Sequence, residues 1–204
     1  MGINSFASVI HTSSMTDERF EIIRRSIVEA PVIMKGNYPY FIHPLSDGVP
    51  SQSAELLAAA RDLIYENVDW SKVDIILGIE AMGIPLAAAL CLESGKPLVV
   101  GRKREYGLPG ETSIDQSTGY SKGAIYLNDI SEGDRVFVVD DVVSTGGTLL
   151  PILKAIDRIG AIVADCWIVF EKDSGMDYVR QHGEWPLNSL VRIRMDGDKV
   201  TLLE

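Results

Sequence analysis

The sequence is short of the residues that most often announce a metal centre, a redox site or a membrane anchor. Its two cysteines, Cys91 and Cys166, stand apart among apolar neighbours. Neither has metal-ligand spacing or a basic neighbour to activate a thiol, so both read as buried, reduced side chains. With only three scattered histidines, no His or Cys cluster offers a protein-only metal cage. No apolar run approaches the roughly 18–20 residues that a membrane span needs. Met1–Met15 lacks the basic start and apolar core of a signal peptide and reads as a loosely ordered tail. Positive charge is also scarce. Lys and Arg number 19 against 29 Asp and Glu, a net charge of −10, which repels nucleic acid and anionic membranes. A cytoplasmic protein with neither partner is expected. An anionic ligand then needs a local basic site, and the densest is Arg102-Lys103-Arg104.

What is present points to an α/β domain. At 204 residues, 46% of them hydrophobic, the chain can bury a sizeable core, and residues 16–204 read as one domain. Thr16-Asp17-Glu18 starts a helix with Phe20, Ile23, Ile27 and Val28 along one face, ended by Pro31. Residues 32–50 hold Tyr38, Tyr40, Phe41 and the turn Asp47-Gly48, the pattern of a short hairpin or irregular cap. Ser53 can cap a helix carrying Leu56, Leu57, Ala60, Leu63 and Ile64. Apolar runs at Asp74–Ile79, Pro97–Val100, Arg135–Val139 and Ala161–Phe170 read as strands, with helices at Ile84–Leu92 and Thr148–Ile159. Strands bounded by glycine turns and separated by helices make βαβ units and a mainly parallel sheet. Glu105–Lys122 is long, glycine-bearing and aperiodic, as lids over active sites often are.

Ligands of open α/β sheets bind beyond the carboxyl ends of the strands. Three turns leave such ends: Glu80–Gly83, Arg102–Arg104 and Asp140–Thr148. The third reads Asp140-Asp141-Val142-Val143-Ser144-Thr145-Gly146-Gly147-Thr148 and opens a helix. Its glycines let several N–H groups face one point, and the helix adds the positive end of its dipole. That makes a phosphate socket, though not a Walker A loop, whose lysine is missing. The two carboxylates can accept hydrogen bonds from the two hydroxyls of a ribose and can reach Mg²⁺ through water.

This string resembles the signature of the type I phosphoribosyltransferases, which bind 5-phosphoribosyl-1-pyrophosphate. The resemblance runs from about Val32 to Phe170 and is carried further by Gly36–Gly48, Glu80–Gly83, Arg102–Glu111 and Thr118–Lys122. It is similar to the purine enzymes of the adenine and archaeal hypoxanthine/guanine kind, the latter most of all in Tyr40–Pro50 and Arg-Lys-Arg…Leu-Pro-Gly. It implies a mainly parallel sheet flanked by helices, an N-terminal cap or hood and a flexible lid. Asp140 and Asp141 would hold the ribose hydroxyls and Ser144–Thr148 the 5′-phosphate. Ala81-Met82-Gly83 would be the pyrophosphate loop, and Arg102, Lys103 and Arg104 would neutralise pyrophosphate in this subunit or in the partner of a homodimer. The metal would be Mg²⁺ brought by the substrate.

The base pocket departs from the family's usual patterns. Animal-type 6-oxopurine enzymes carry an aspartate where this chain has Ser144, and adenine enzymes often a glutamate where it has Gly119. Val142 is expected on one face of the base and Tyr40 or Phe41 on the other. Backbone amides around Tyr38–His43 would read the purine 6-position, and His43 itself would be structural. Glu111 and Asp115 are either solvated lid charges or, in one case, the group that handles the N9 proton. The reading is a hypoxanthine/guanine enzyme. An adenine enzyme and a non-catalytic module that senses the same sugar phosphate are its rivals.

Overall fold

Strands appear where the apolar runs stand, and their carboxyl ends gather along one edge. The computed structural model describes residues 17–35, 38–117, 122–197 and 199–203. The tail 1–15, Gly36-Asn37 of the cap and 118–121 of the lid, Gly119 included, lie outside the described residues. The elements are α1 (Glu18–Val28), β1 (Val32–Lys35), β2 (Tyr38–Phe41), α2 (Pro44–Asp47), α3 (Ala54–Tyr65), β3 (Ile75–Ile79), α4 (Gly83–Ser94) and β4 (Leu98–Gly101). They continue with β5 (Thr112–Ser117), β6 (Lys122–Leu127), β7 (Arg135–Val143), α5 (Leu149–Ile159), β8 (Ile162–Lys172), α6 (Gly175–Arg180), β9 (Leu187–Asp196) and β10 (Lys199–Leu203). The main sheet has the order β10-β9-β8-β7-β3-β4. All its pairings are parallel except that of β10 with β9.

Two apolar layers fix the helices on the sheet. One gathers Ile23 and Ile27 of α1, Leu56, Ala60 and Ile64 of α3, and Leu86 and Leu90 of α4 against Phe137 and Val139. The other gathers Leu149, Ile152, Leu153 and Ile156 of α5, Met176 and Val179 of α6, and Ile114, Ile125 and Leu127 of the β5–β6 hairpin against Leu77, Val136 and Val138. Asp17 caps α1 through the Arg19 amide, and Ser53 caps α3 through the Leu56 amide, each satisfying an amide that the helix start leaves unpaired.

Several expectations are corrected. Val28 and Leu92 are 74% and 88% exposed and belong to no core face. β7 does not stop at Val139. Asp140 stays paired with Ile168, Val142 with Phe170 and Val143 with Glu171, so the two acids lie within a strand. The stretch 105–122 is not wholly irregular, because Thr112–Ser117 pairs antiparallel with Lys122–Leu127. After Phe170 the chain adds α6 and two further strands.

Candidate functional site

Parallel register sets the first contact of the site. Ile79 pairs with Gly101, which brings Glu80 beside Arg102. The Glu80 carboxylate lies 2.8 Å from Arg102 Nε and accepts the Lys103 amide at 3.1 Å. The Arg102 amide and carbonyl each bond Tyr126 of β6, at 3.0 and 2.7 Å, so the basic turn is held from both sides. The Glu80–Ala81 peptide is cis. Gly83 closes this turn onto β7: a Cβ there would stand 2.9 Å from both Asp140 Oδ1 and the Val139 carbonyl. Only glycine allows that approach. The three turns expected to converge therefore do so around Asp140.

Asp140 is 8% exposed, Asp141 is half-buried, and the Asp141 amide donates to Asp140 Oδ1 at 3.0 Å. Burial disfavours a charged carboxylate. It pushes Asp140 up to about 6 against the opposing pull of the Asp141 hydrogen bond and of Lys103. Asp141 is raised well above the usual range, by burial first, then by the Asp140 charge, with Asp47 adding to it. A ligand that donates hydroxyls or brings a cation relieves this crowding.

Beyond the acids the chain turns into the glycine loop. Gly146 has φ 73° and the Gly147 amide donates to Thr145 Oγ1 at 3.3 Å. Thr148 then begins α5 without a side-chain cap bond, so the positive end of the helix meets the loop. Ser144–Thr148 is thus a glycine turn lying against the N-terminal end of α5.

The cap stands over this edge. Gly48 ends α2, and a Cβ on it would lie 3.7 Å from Met82 Cε. Tyr40 donates its hydroxyl to Asp47 Oδ1 at 2.7 Å. Phe41 is 7% exposed, stacked on His43 at 5.2 Å and edge-on to Phe170 at 5.7 Å. It belongs to the core, which corrects the expectation that it faces the base. His43 is structural as expected. It is fully buried, its Nδ1 accepts the Leu45 amide at 3.1 Å, and its Nε2 lies 2.9 Å from Ser26 Oγ. Burial lowers its pKa to about 4, so the ring is neutral. The reading that the cap amides are free to recognise a base is corrected at Ile42 and His43. The Ile42 amide donates to the Pro31 carbonyl at 3.0 Å and the His43 amide to Asp47 Oδ2 at 3.0 Å.

Glu111 is tied to the chain on either side of it. It accepts the amides of Tyr106 at 3.1 Å and Gly107 at 2.9 Å and the Asn128 side chain at 2.9 Å. These bonds, Asn128's foremost, lower its pKa and make it a poor base. Sequence reading missed Glu171 and Lys172, 1% and 5% exposed at the carboxyl end of β8. Two charges directly after an apolar run were the available signal, the same one that marks Asp140-Asp141.

The phosphoribosyl transferase domain model matches residues 52–183. The hypoxanthine/guanine phosphoribosyltransferase of Ferroglobus placidus is 51% identical over 179 residues, 88% of this chain and 95% of that protein. The chain belongs to the phosphoribosyl transferase family. The hypoxanthine/guanine enzyme of Methanothrix thermoacetophila is 47% identical over 184 residues, 90% of this chain and 96% of its own. Among solved phosphoribosyltransferases, the adenine enzyme of Thermoanaerobacter pseudethanolicus superposes with a TM-score of 0.70 at 24% identity, covering 85% of this chain and 99% of that one. That of Trypanosoma brucei, solved with AMP, pyrophosphate and ribose-5-phosphate, gives 0.73 at 18%, covering 87% and 80%. At these identities the likeness is one of fold, the type I phosphoribosyltransferase fold. All three turns of the site fall within the matched domain, while the hairpin and α2 precede it.

Proposed function

We propose that this phosphoribosyl transferase moves the 5-phosphoribosyl group of 5-phosphoribosyl-1-pyrophosphate onto hypoxanthine or guanine. The products are IMP or GMP and pyrophosphate. The observation that carries the reading is the Asp140–Asp141 pair, the first buried and the second half-buried, running directly into the Ser144–Thr148 loop: acceptors for a diol, then donors for a phosphate. In this reading Asp140 and Asp141 hold the ribose hydroxyls, and Ser144, Thr145, Gly146, Gly147 and Thr148 hold the 5′-phosphate. Ala81, Met82 and Gly83 line the pyrophosphate, faced by Arg102, Lys103 and Arg104.

The bond from ribose C1 to the pyrophosphate oxygen breaks and the bond from C1 to purine N9 forms. N9 gives up its proton, and pyrophosphate leaves with the bonding electrons. The ribose is cation-like on the way, so water must be kept out. Residues 105–122 serve as the lid for that purpose, with Glu111 bracing its base.

The acid pair also suits Mg²⁺ carried by the substrate. Among the described residues no group of three His, Cys, Asp or Glu side chains could hold an ion alone. Asp140 and Asp141, whose charges burial leaves poorly compensated, would reach the ion through water. When bound it would neutralise charge on the leaving pyrophosphate. Arg102–Arg104 fits a homodimer in which the basic turn also serves the partner's site.

Base choice rests on the relatives and on Lys172. Both cited relatives are named for hypoxanthine and guanine. Lys172, buried at the carboxyl end of β8, can donate to a 6-oxo group but gains nothing from a 6-amino group. Phe170, two residues before it and so on the same face of the strand, is in register with Val142, which supports a position for Lys172 near the face that Val142 offers to the base, with Tyr40 across from it. The test is product analysis. With 5-phosphoribosyl-1-pyrophosphate, Mg²⁺ and hypoxanthine, equal amounts of IMP and pyrophosphate are expected, and none with excess chelator. Tight binding of the sugar phosphate without pyrophosphate release would favour a sensing module instead.

A further inference from the structure

A segment outside the sequence motif packs tightly against the Ser144–Thr148 loop. Gly175, the first residue of α6, sits so close to the loop that a Cβ would stand 2.4 Å from the Ser144 carbonyl oxygen and 2.5 Å from its carbon. The approach is reciprocal. A Cβ on Gly146 would meet Tyr178 Cδ1 and Val179 Cγ2, each at 2.9 Å, and the Gly175 carbonyl oxygen at 3.1 Å. The two glycines are required for different reasons. Gly146 has a left-handed φ of 73°, which alone favours glycine. Gly175 lies outside that region, so its missing side chain answers only to the closeness of Ser144.

α6 is itself anchored to the core and to β8 and β9. The Asp173 amide donates to the Ile193 carbonyl of β9 at 3.0 Å. Met176 and Val179 are fully buried. Arg180 Nη1 lies 3.5 Å from Oε1 of the buried Glu171 and 3.1 Å from Asp177, while Ser189 Oγ donates to the other Glu171 oxygen at 2.9 Å. Glu171 stands in register with Val143, the residue before Ser144. The buttress and the loop thus spring from one rung of the β7–β8 ladder.

We infer that Gly175 is a positioning residue: α6, seated through it on Ser144 and Gly146, sets the backbone of the phosphate loop for its ligand. This rests on the proposed reading of that loop as the 5′-phosphate site. A methyl group at Gly175 must push the Ser144 carbonyl aside, and a displacement of that order is felt strongly where a bound group has to be oriented. Met176 and Val179 can stay in the core meanwhile.

The test uses the full chain and ribose 5-phosphate. Titration calorimetry measures its affinity for the wild type and Gly175→Ala, and steady-state kinetics gives KM for 5-phosphoribosyl-1-pyrophosphate and for hypoxanthine. Gly175→Ala is expected to weaken ribose 5-phosphate binding and raise the sugar-phosphate KM by about tenfold or more, with the hypoxanthine KM within about twofold. A general loss of structure would not separate the two KM values. Should Gly175→Ala not fold, Arg180→Met decides: it frees α6 from Glu171 and should raise the same KM about threefold, with Arg180→Lys recovering part of it. Wild-type affinity in a folded Gly175→Ala, or an unchanged KM in Arg180→Met where that variant decides, overturns the inference. A wild-type chain that does not bind ribose 5-phosphate overturns instead the reading of the loop on which it rests.

Discussion

Glu80 and Arg102 join the ends of two neighbouring parallel strands, Oε2 to Nε at 2.8 Å. The same carboxylate oxygen takes the Lys103 amide, so one side chain holds the basic turn against the Ala81–Gly83 loop. Partly exposed pairs of this kind contribute only about 0–1 kcal/mol to stability. Glu80→Ala should therefore hardly move the melting temperature, yet raise the KM for 5-phosphoribosyl-1-pyrophosphate by about three- to tenfold as the turn loses its tether. An unchanged KM would show that Glu80 does not position Arg102 and Lys103.

Changing both acids, Asp140→Asn and Asp141→Asn, should abolish turnover and leave the fold intact. Burial has raised both carboxyls, so at neutral pH their ionisation works against the folded state. Neutral replacements should add on the order of 1–3 kcal/mol to stability at pH 7. Chemical denaturation and initial rates check this together. Near-normal kcat/KM in the double variant would sink the ribose assignment.

The same shifts set a pH dependence with a definite sign. A carboxyl raised to about 6 when folded, from about 3.9 when unfolded, binds more protons in the folded state between those values. Its contribution is fully present below about pH 4 and is lost as pH rises through about 6. His43 runs the other way: its pKa is lowered to about 4, so its contribution is present above about pH 6.5 and lost as pH falls towards 4. Wild-type stability mixes the two. The difference between the wild type and the double Asn variant isolates the acids, and should fall steadily from pH 4 to pH 7. A flat difference would mean that the acids are not destabilised by burial.

How far the sequence was legible follows from the strength of each signal. β3, β7 and β8 are continuous apolar runs because both faces are covered, and that pattern survives without any knowledge of neighbours. β9 is weaker: Leu190, Val191 and Ile193 are buried, but Arg192 and Arg194 interrupt them. Its place is set by pairing with β8, which lies far along the chain from any local cue. The β5–β6 hairpin hides Ile114 and Ile125 among polar residues, so only its packing under α5 marks it as ordered. The acid pair and glycine loop were plain in the sequence because their chemistry is local. Phe41 was misread because an aromatic in a cap serves core or ligand equally well by type alone. The Phe170 and His43 rings decide it. Lys172 escaped although two charges follow the apolar run, because that pattern alone does not say that the lysine is buried.

Lys172→Met keeps the length of the side chain and removes its charge. The variant should lose about ten- to a hundredfold in kcat/KM for hypoxanthine and guanine, since a buried donor to the 6-oxo group is gone. The KM for 5-phosphoribosyl-1-pyrophosphate should change much less. Equal loss for both substrates would place Lys172 in the framework of the site rather than at the base.

Attachment of phosphoribose to a 6-oxopurine is tested most directly by a panel of four bases. With saturating 5-phosphoribosyl-1-pyrophosphate and Mg²⁺, kcat/KM is measured for hypoxanthine, guanine, xanthine and adenine by pyrophosphate release. A pocket built around a donor to the 6-position should favour hypoxanthine or guanine over adenine by at least about a hundredfold. The highest value with adenine would contradict the base assignment while leaving the sugar-phosphate chemistry in place, and no release with any base would contradict the enzyme altogether.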